Sequence, residues 1–482
     1  MTGTATAISG TWRELLGPKY LAASTVLAGG VGLYATNEFL TISLLPSTVA
    51  EIGGQRLYAW VTTVYLVASV IASTTVSATL ARVGARWSYL VGLTAFGLGT
   101  SMCAVAPTME FLLAGRTVQG AAGGLIAGLG YSVINSALPQ TLWTKASALV
   151  SAMWGVGTLL GPAAGGLFAQ TSSWRWAFGA LLILTGIIAA LVPFALPARS
   201  NEVPRKPERI PVWSLLLLAS AALAISGAAL PRDVGWTVAL LVVGAGFVGA
   251  FIAVDRRATA AVLPPTAFRP GPLKWVYLTL GMLMAATMVD MYVPYFGQRL
   301  AHLAPVAAGF LGVALAIGWT MSEIVSASMT GPRAIMRIVA IAPLVMAVGL
   351  MSAAVSQVDN ASAGVVAGWV LALLLTGAGI GMAWPHLPAW AMGGVDDPGE
   401  GGRAAAAINT VQLVCGAFGA GLAGVVVNAT DAGGATPARW LFATFAVLAA
   451  LGMVASTRSG RRSDVDLVHV GGVLLHDRRP LE

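Results

Sequence analysis

The residues that could do chemistry in this sequence are few. Of nineteen acidic side chains only Glu38, Asp290 and Glu323 fall well inside long apolar runs, and of twenty-seven basic ones only Arg116 does. An ionisable group in such a run is costly in lipid and marks either a pathway or an internal pairing, and both readings stay open for each of the four. A carboxyl group kept from water favours its protonated form. It can take up a proton near neutrality, and a cationic or zwitterionic molecule competing for the same oxygens makes proton and cargo mutually exclusive, which is the elementary step of exchange. The driving force is adequate: one charge falling through 100 mV yields about 2.3 kcal/mol, roughly a fifty-fold concentration ratio. Arg116 either governs a nearby carboxylate electrostatically or anchors backbone carbonyls. There is no GxxxxGK[ST] phosphate loop and no HExxH or CxxC spacing, so neither cofactor nor metal is expected.

These groups need helices to hold them. The chain has 482 residues, 57% apolar and 10% charged, with mean hydropathy +0.80. Soluble domains carry about 25% charged residues, so a water-soluble fold is excluded and an all-α integral membrane protein is expected. Runs of about twenty apolar residues, each able to cross a core of roughly 30 Å, occur at 20–49, 57–80, 88–106, 111–137, 146–169 and 177–196, then at 212–230 and 236–254, then at 275–296, 305–326, 338–355, 364–388, 404–427 and 441–455. The expected plan is a tail (1–19), a six-helix unit (20–197), a loop (198–211), two inserted spans (212–254), a linker (255–274), a second six-helix unit (275–457) and a tail (458–482).

Cytoplasmic loops retain Lys and Arg. With the N-terminus inside, 21 of the 27 basic residues lie in inner segments; the outer loops hold Arg56, Arg175, Arg232, Arg299 and Arg439. Both termini are therefore expected in the cytoplasm of a cell inner membrane. The net charge of +8 reads as topology with attraction to membrane lipid, not as nucleic-acid binding. Cys103 and Cys415 each lie in an apolar run and suggest no disulfide framework.

At about 1.5 Å per residue, Glu38 lies about 27 Å and Asp290 about 22 Å from the inner start of their helices, and Glu323 about 27 Å from the outer start of its own. Two acids are thus expected in the outer half and one in the inner half. Tyr34 and Thr41 share the face of Glu38 at i−4 and i+3, next to Asn37; Gln119 lies one turn from Arg116; and Met288, Met291, Tyr292 and Tyr295 surround Asp290. Adaptable apolar walls with a few polar handles suit a polyspecific cavity, although any one of these side chains could equally pack against lipid or a helix. His386, near the inner end of its span, reads as an interfacial histidine.

The sharpest local pattern is Gly157-Thr-Leu-Leu-Gly161-Pro162-Ala-Ala-Gly165-Gly166 in the fifth span, followed by Trp174-Arg175-Trp176-Ala-Phe178. Glycines four apart share a helix face and admit a close neighbour, and the proline removes a backbone donor. With Trp60-Val-Thr-Thr-Val-Tyr65, Arg116-Thr-Val-Gln119-Gly120 and Leu263-Pro-Pro-Thr-Ala-Phe268-Arg269, this chain resembles the fourteen-span drug/proton antiporters of the major facilitator superfamily over nearly its whole length. The resemblance implies two six-helix bundles related by a pseudo-two-fold axis, a central cavity, alternating access, and export of amphipathic drugs, fluoroquinolones among them, by a monomer. It makes Gly157, Gly161, Pro162, Gly165 and Gly166 the antiporter signature, and places Arg82, Gly84 and Arg86 in a gating loop. There are two departures: Ala81 stands where that loop carries an aspartate, and Asn37, nine residues before Pro46, where the first span commonly has one, with Glu38 turned about 100° away. A lipid or lipid-precursor exporter of the same superfamily is the alternative; a membrane-embedded enzyme or a receptor is disfavoured by four scattered histidines and the lack of a long exposed segment.

Overall fold

The computed structural model describes residues 11–460 apart from 172, 197–209, 330, 396 and 398–399. The expected tail 461–482, most of the loop 198–211 and the first ten residues lie outside the described residues. Among the described residues every regular element is helical.

Six long helices come first: α1 (Leu21–Ile52), α2 (Tyr58–Ser73), α3 (Val76–Ala104), α4 (Met109–Ser132), α5 (Trp143–Thr171) and α6 (Trp174–Ala195). A hairpin of α7 (Val212–Gly227) and α8 (Val234–Asp255) follows. The second set is α9 (Leu273–Thr287), α10 (Val293–Ala301), α11 (Pro305–Ala327), α12 (Pro332–Ser356), α13 (Ala363–Ala383), α14 (His386–Gly393), α15 (Gly401–Ala429) and α16 (Thr436–Ser459). Among the described residues ten helical segments are long and apolar enough to cross a membrane, and the sixteen-residue α7 is a shorter apolar helix. We call the side where α1 begins and α16 ends the terminal face, and the other the far face.

Interruptions in three of the expected runs have a legible reason. The second, expected to reach residue 80, stops at Ser73 because consecutive hydroxyls turn back on the chain: Ser73 Oγ donates to Val70 O (2.9 Å), Thr74 Oγ1 to Ile71 O (2.7 Å) and Thr75 Oγ1 to Ala72 O (2.7 Å). Such local bonds compete with helix continuation. The ninth, 275–296, passes through a 3-10 segment, Met288–Tyr292, between α9 and α10. Pro294 has no N–H to give the carbonyl of Asp290 four residues back, and its ring crowds that carbonyl, so the helix tightens there. The twelfth, 364–388, is split between α13 and α14 at Trp384-Pro385 by the same chemistry.

Within the first set α1 packs on α5 and α6, α3 on α4 and α6, and α2 on α4; within the second, α11 on α13, α12 on α13 and α16, and α9 on α15 and α16. The two sets meet along two seams, α2 against α15 and α5 against α11. With α9–α10 and α13–α14 each counted as one span, the second span of each set faces the fifth of the other, a reciprocity that a pseudo-two-fold relation requires. Helix α7 lies against both α2 and α15, and α8 packs chiefly on α7, leaving most of its surface exposed.

Lipid tails are as apolar as leucine, so these helices adhere by close packing rather than by water exclusion. Glycine makes the approach possible where α11 meets α13: a Cβ on Gly318 would collide with the Leu374 carbonyl, and one on Gly377 with the Leu315 carbonyl. Both obstacles are backbone and cannot swing aside. Gly318→Ala or Gly377→Ala should therefore lower stability by about 1–3 kcal/mol, seen as earlier thermal unfolding of the purified protein. Gly246→Ala on α8, where a Cβ meets nothing within 4 Å, should leave the transition in place.

Candidate functional site

A polar cluster sits in the first bundle where α1, α3 and α4 meet. Arg116 is 1% exposed and donates from Nη1 to Gln119 Oε1 (3.0 Å) and Thr41 Oγ1 (3.2 Å) and from Nε to Val61 O (3.4 Å), while its guanidinium lies 4.0 Å from the Tyr65 ring centroid. Thr41 in turn donates to Asn37 O (2.7 Å); Gln119 Nε2 donates to Thr100 Oγ1 (3.0 Å) and Asn37 Oδ1 (3.3 Å). Among the described residues no carboxylate lies within ion-pair distance of Arg116. In this conformation its partners are neutral, an anchoring arrangement, with Glu38 within Coulombic reach. Asn37, which replaces the expected acid, belongs to this cluster and keeps an unpartnered Nδ2.

Glu38, half-buried, lies beside Tyr34, which stacks on Tyr65 and meets Trp154 edge-on, both at 5.5 Å between centroids. Across the bundle interface stands Asp290, within Coulombic reach of Glu38. Its Oδ1 is buried and has no hydrogen-bond partner. Asp290 lines a narrow crevice with Phe39, Ser43, Thr158, Pro162 and Gly312. The crevice therefore draws on α1 and α5 of one bundle and on the 3-10 break and α11 of the other. Gly312 faces the carboxylate: a Cβ there would come within 3.0 Å of Oδ1. Glu323 lies three turns further along α11 on the Gly312 face, half-buried beside the Trp319 indole toward the terminal face. The structure thus brings Glu38 and Asp290 together and sets Glu323 apart.

The antiporter-type string works by contact. Gly157 and Gly161 let α5 press on α1, where a Cβ would sit 2.6 Å from Ala35 Cβ and from Phe39 Cβ, and a Cβ on Gly165 would lie 2.8 Å from Leu40 O. Gly166 faces the other bundle, where a Cβ would sit 2.6 Å from Val306 Cα, and Ser43 Oγ donates to Pro162 O (3.4 Å) opposite Gly309. Pro162, with no N–H to offer the Thr158 carbonyl four residues back, lines the Asp290 crevice beside Thr158. In the loop between α2 and the body of α3, Gly84 has φ +76°, a left-handed value that suits glycine. It turns the chain so that Arg86 donates to Leu196 O (2.9 Å) and Pro193 O (2.7 Å), capping the end of α6; Arg82 is exposed.

The residues expected to line a cavity around Asp290 divide. Met288 is half-buried at the interface near Gly416. Met291 and Tyr292 are 1% and 2% exposed, and with Tyr295 they form a plug toward the far face instead of an open wall. Tyr58 of α2 stacks on Tyr292 (4.7 Å) and donates to Met291 O (3.1 Å), Tyr292 stacks on Phe296 (6.0 Å), and Tyr295 OH accepts from Gln55 Nε2 and Arg299 Nη1, both at 2.7 Å. Sequence reasoning missed Gln55, Tyr58 and Trp154. Each sits at the end of an apolar run or is a lone aromatic inside one, where no spacing sets it apart. His386 bonds Ser326 Oγ at 2.9 Å, consistent with a satisfied histidine.

Also at the far face, Glu51 at the end of α1 pairs with Arg175 and accepts from Trp174 Nε1 (2.6 Å), while Arg175 Nη2 donates to Ala106 O (2.9 Å), tying the ends of α1, α3 and α6.

This arrangement has counterparts among known proteins. A sequence profile described as Major Facilitator Superfamily matches residues 27–420. A Mycobacterium tuberculosis protein named probable multidrug-efflux transporter is 61% identical over 467 residues, 96% of this chain and 99% of its own. Multidrug resistance protein 3 of Bacillus subtilis is 23% identical, over 75% of this chain and 71% of its own. Among solved structures, a D-xylose–proton symporter superposes with TM-score 0.62 at 16% identity, covering 90% of this chain and 97% of its own. The nucleoside transporter NupG superposes with TM-score 0.60 at 14% identity, covering 91% of this chain and 98% of its own. These two likenesses concern the fold alone.

The Arg175 hydrogen bond, joined by that of Trp174, holds the Glu51 carboxyl below its ordinary value of 4.5. A carboxylate lowered on folding adds stability above its unfolded value and loses it as pH falls through the folded one. Glu51→Gln should therefore unfold at a lower temperature than the parent at pH 7, by the modest margin of an exposed pair, and the difference should vanish well below pH 4.5. A gap that persists in acid would show that the pair is not its source.

Proposed function

Because the chain belongs to the major facilitator superfamily, and is thus a multi-pass membrane transporter and not an enzyme, we propose that it exports amphipathic small molecules in exchange for protons by alternating access. The carrying observation is the Asp290 carboxylate. It stands in a break of its helix and faces a crevice between the two bundles; it has one oxygen without a partner, and among the described residues no cation within ion-pair distance. A carboxylate serving only structure would have its lone pairs met, because an unmet polar atom in a dry interface costs about 1–3 kcal/mol. One left open is available to a proton or to a cationic group on cargo.

In this reading Asp290 and Glu38 are the exchange site, with Tyr34, Tyr65 and Trp154 supplying aromatic faces on which a flat or cationic drug can stack. Glu323, on the same face of α11, is the next proton station toward the terminal face. The Arg116 cluster fixes the relative positions of α1 and α4 and places a positive field near Glu38. The two glycine-lined seams allow the bundles to rock while staying in contact. The names of the mycobacterial and Bacillus relatives support multidrug efflux, and fluoroquinolones are the drug class to test first. The excess of Lys and Arg on the terminal face supports a cytoplasmic location for it.

The test is drug-driven proton release from inverted vesicles energised by a pH gradient. Asp290→Asn should abolish release while leaving drug binding measurable, Glu38→Gln should reduce it at least about tenfold, the loss of roughly 1.4 kcal/mol of coupling, and Glu323→Gln should slow it without removing binding. Undiminished exchange in both Asp290→Asn and Glu38→Gln rejects the site; transport that ignores the gradient makes the protein a facilitator.

A further inference from the structure

The hairpin α7–α8 carries no charge within its helices suited to transport, yet its far-face turn is fastened to both bundles. From the first bundle, Trp60 Nε1 donates to Ser226 O (3.0 Å), and Arg56 Nη2 donates to Pro231 O (2.8 Å) and Ala229 O (3.4 Å); Ser226 Oγ donates to Thr63 Oγ1 (2.9 Å). From the second, Asn428 at the end of α15 spends both amide hydrogens on carbonyls, Ala229 O (3.1 Å) and Arg56 O (3.0 Å). The Ala229 carbonyl therefore receives a donor from each bundle, and Asn428 also joins the bundles directly. Gly421 lets the helices approach this closely, since a Cβ there would lie 2.5 Å from Ser226 Oγ.

Toward the terminal face α7 fills the α2–α15 seam, where Leu215 and Leu218 pack with Val70 and Val414. The hairpin's return is pinned by Asp255, 1% exposed, which accepts from Val262 N (2.7 Å), Leu263 N (3.0 Å) and Ser214 Oγ (2.7 Å).

We infer that the α7–α8 turn is a latch holding the two bundles together at the far face, and that Asn428 is the positioning residue that fastens it. The inference rests on the alternating-access reading. Separating the bundles there requires the hairpin to leave one of them. It is bonded to the first by four hydrogen bonds and to the second by one, and Asn428 adds one more between the bundles. By its hydrogen bonds the hairpin travels with the first bundle, its packing on α15 giving way, and the bonds that break on opening are those of Asn428 together with Gln55 to Tyr295 and Tyr58 to Met291, which also cross between the bundles. Loss of that residue favours the far-face-open state, whereas loss of a bond on the first-bundle side does not, because that bond persists in both states.

The experiment measures the spacing between spin labels on Glu110→Cys and Ala363→Cys, exposed positions on the far face of each bundle, in the full chain with Cys103→Ala and Cys415→Ala. Asn428→Ala should raise the ratio of long to short distances about tenfold, the equivalent of about 1.4 kcal/mol. Asn428→Asp, similar in shape but with no hydrogen to donate, should do at least as much. Thr63→Val should leave the ratio at the parent value and remains informative should the Asn428 variants fold poorly. If the parent shifts with pH or drug but Asn428→Ala and the parent give equal ratios, the latch is overturned. A Thr63→Val shift as large as that of Asn428→Ala overturns the assignment of the hairpin to the first bundle. If no chain leaves a single distance under any pH or drug, alternating access fails and the latch with it.

Discussion

A chain crossing lipid must meet its backbone hydrogen bonds from within, because no water is there to meet them. Nearly every feature of this structure obeys that constraint, and the function proposed for it depends on where the constraint is relaxed. Pro294 withholds a donor from the Asp290 carbonyl, the helix tightens over Met288–Tyr292, and irregular backbone at that depth is tolerated because it is enclosed by protein on α1, α5 and α11. The same proline that breaks the helix thus delivers the carboxylate to the interface between the bundles.

Around that point the structure separates two roles, anchoring and exchange. The guanidinium of Arg116 is met by Thr41, Gln119, the Val61 carbonyl and the Tyr65 ring, with Asn37 where a negative charge would otherwise answer it. The cluster is therefore built from hydrogen bonds rather than from an ion pair, and it holds helices. The free carboxylate is across the interface. Aromatic side chains close the far face through Tyr58, Tyr292 and Tyr295, so acidic crevice and aromatic plug lie in succession along one broken helix.

Much of this was legible in the residues. Runs of about twenty apolar side chains, the length that crosses a bilayer, carried the all-helical membrane fold. Of the lone acids Asp290 marked the crevice, and the Gly157–Gly166 string marked a close seam, because burying charge and approaching backbone to backbone each leave few residue types admissible. What stayed hidden depends on three-dimensional partners. Asn428 and Arg56 read as ordinary span boundaries until the Ala229 carbonyl is seen between them. Tyr292 and Tyr295, read as cavity walls, turn out to be packed on Tyr58, a pairing between distant parts of the chain that no helical period encodes. Hydroxyl triplets such as Ser73-Thr74-Thr75 are visible in sequence, but whether they bend back on the chain or face a neighbour depends on that neighbour.

The hairpin has a further physical consequence. At about 1.5 Å per residue, its arms are about 24 Å and 33 Å long for sixteen and twenty-two residues. A hydrocarbon layer of roughly 30 Å cannot match both. The shorter arm is sheltered between α2 and α15, but the longer one stands almost bare toward the acyl chains. Swelling or thinning of the surrounding bilayer consequently loads one arm and spares the other, a hydrophobic mismatch within a single motif, and the shear arising from lipid length is delivered to the turn at Ala229.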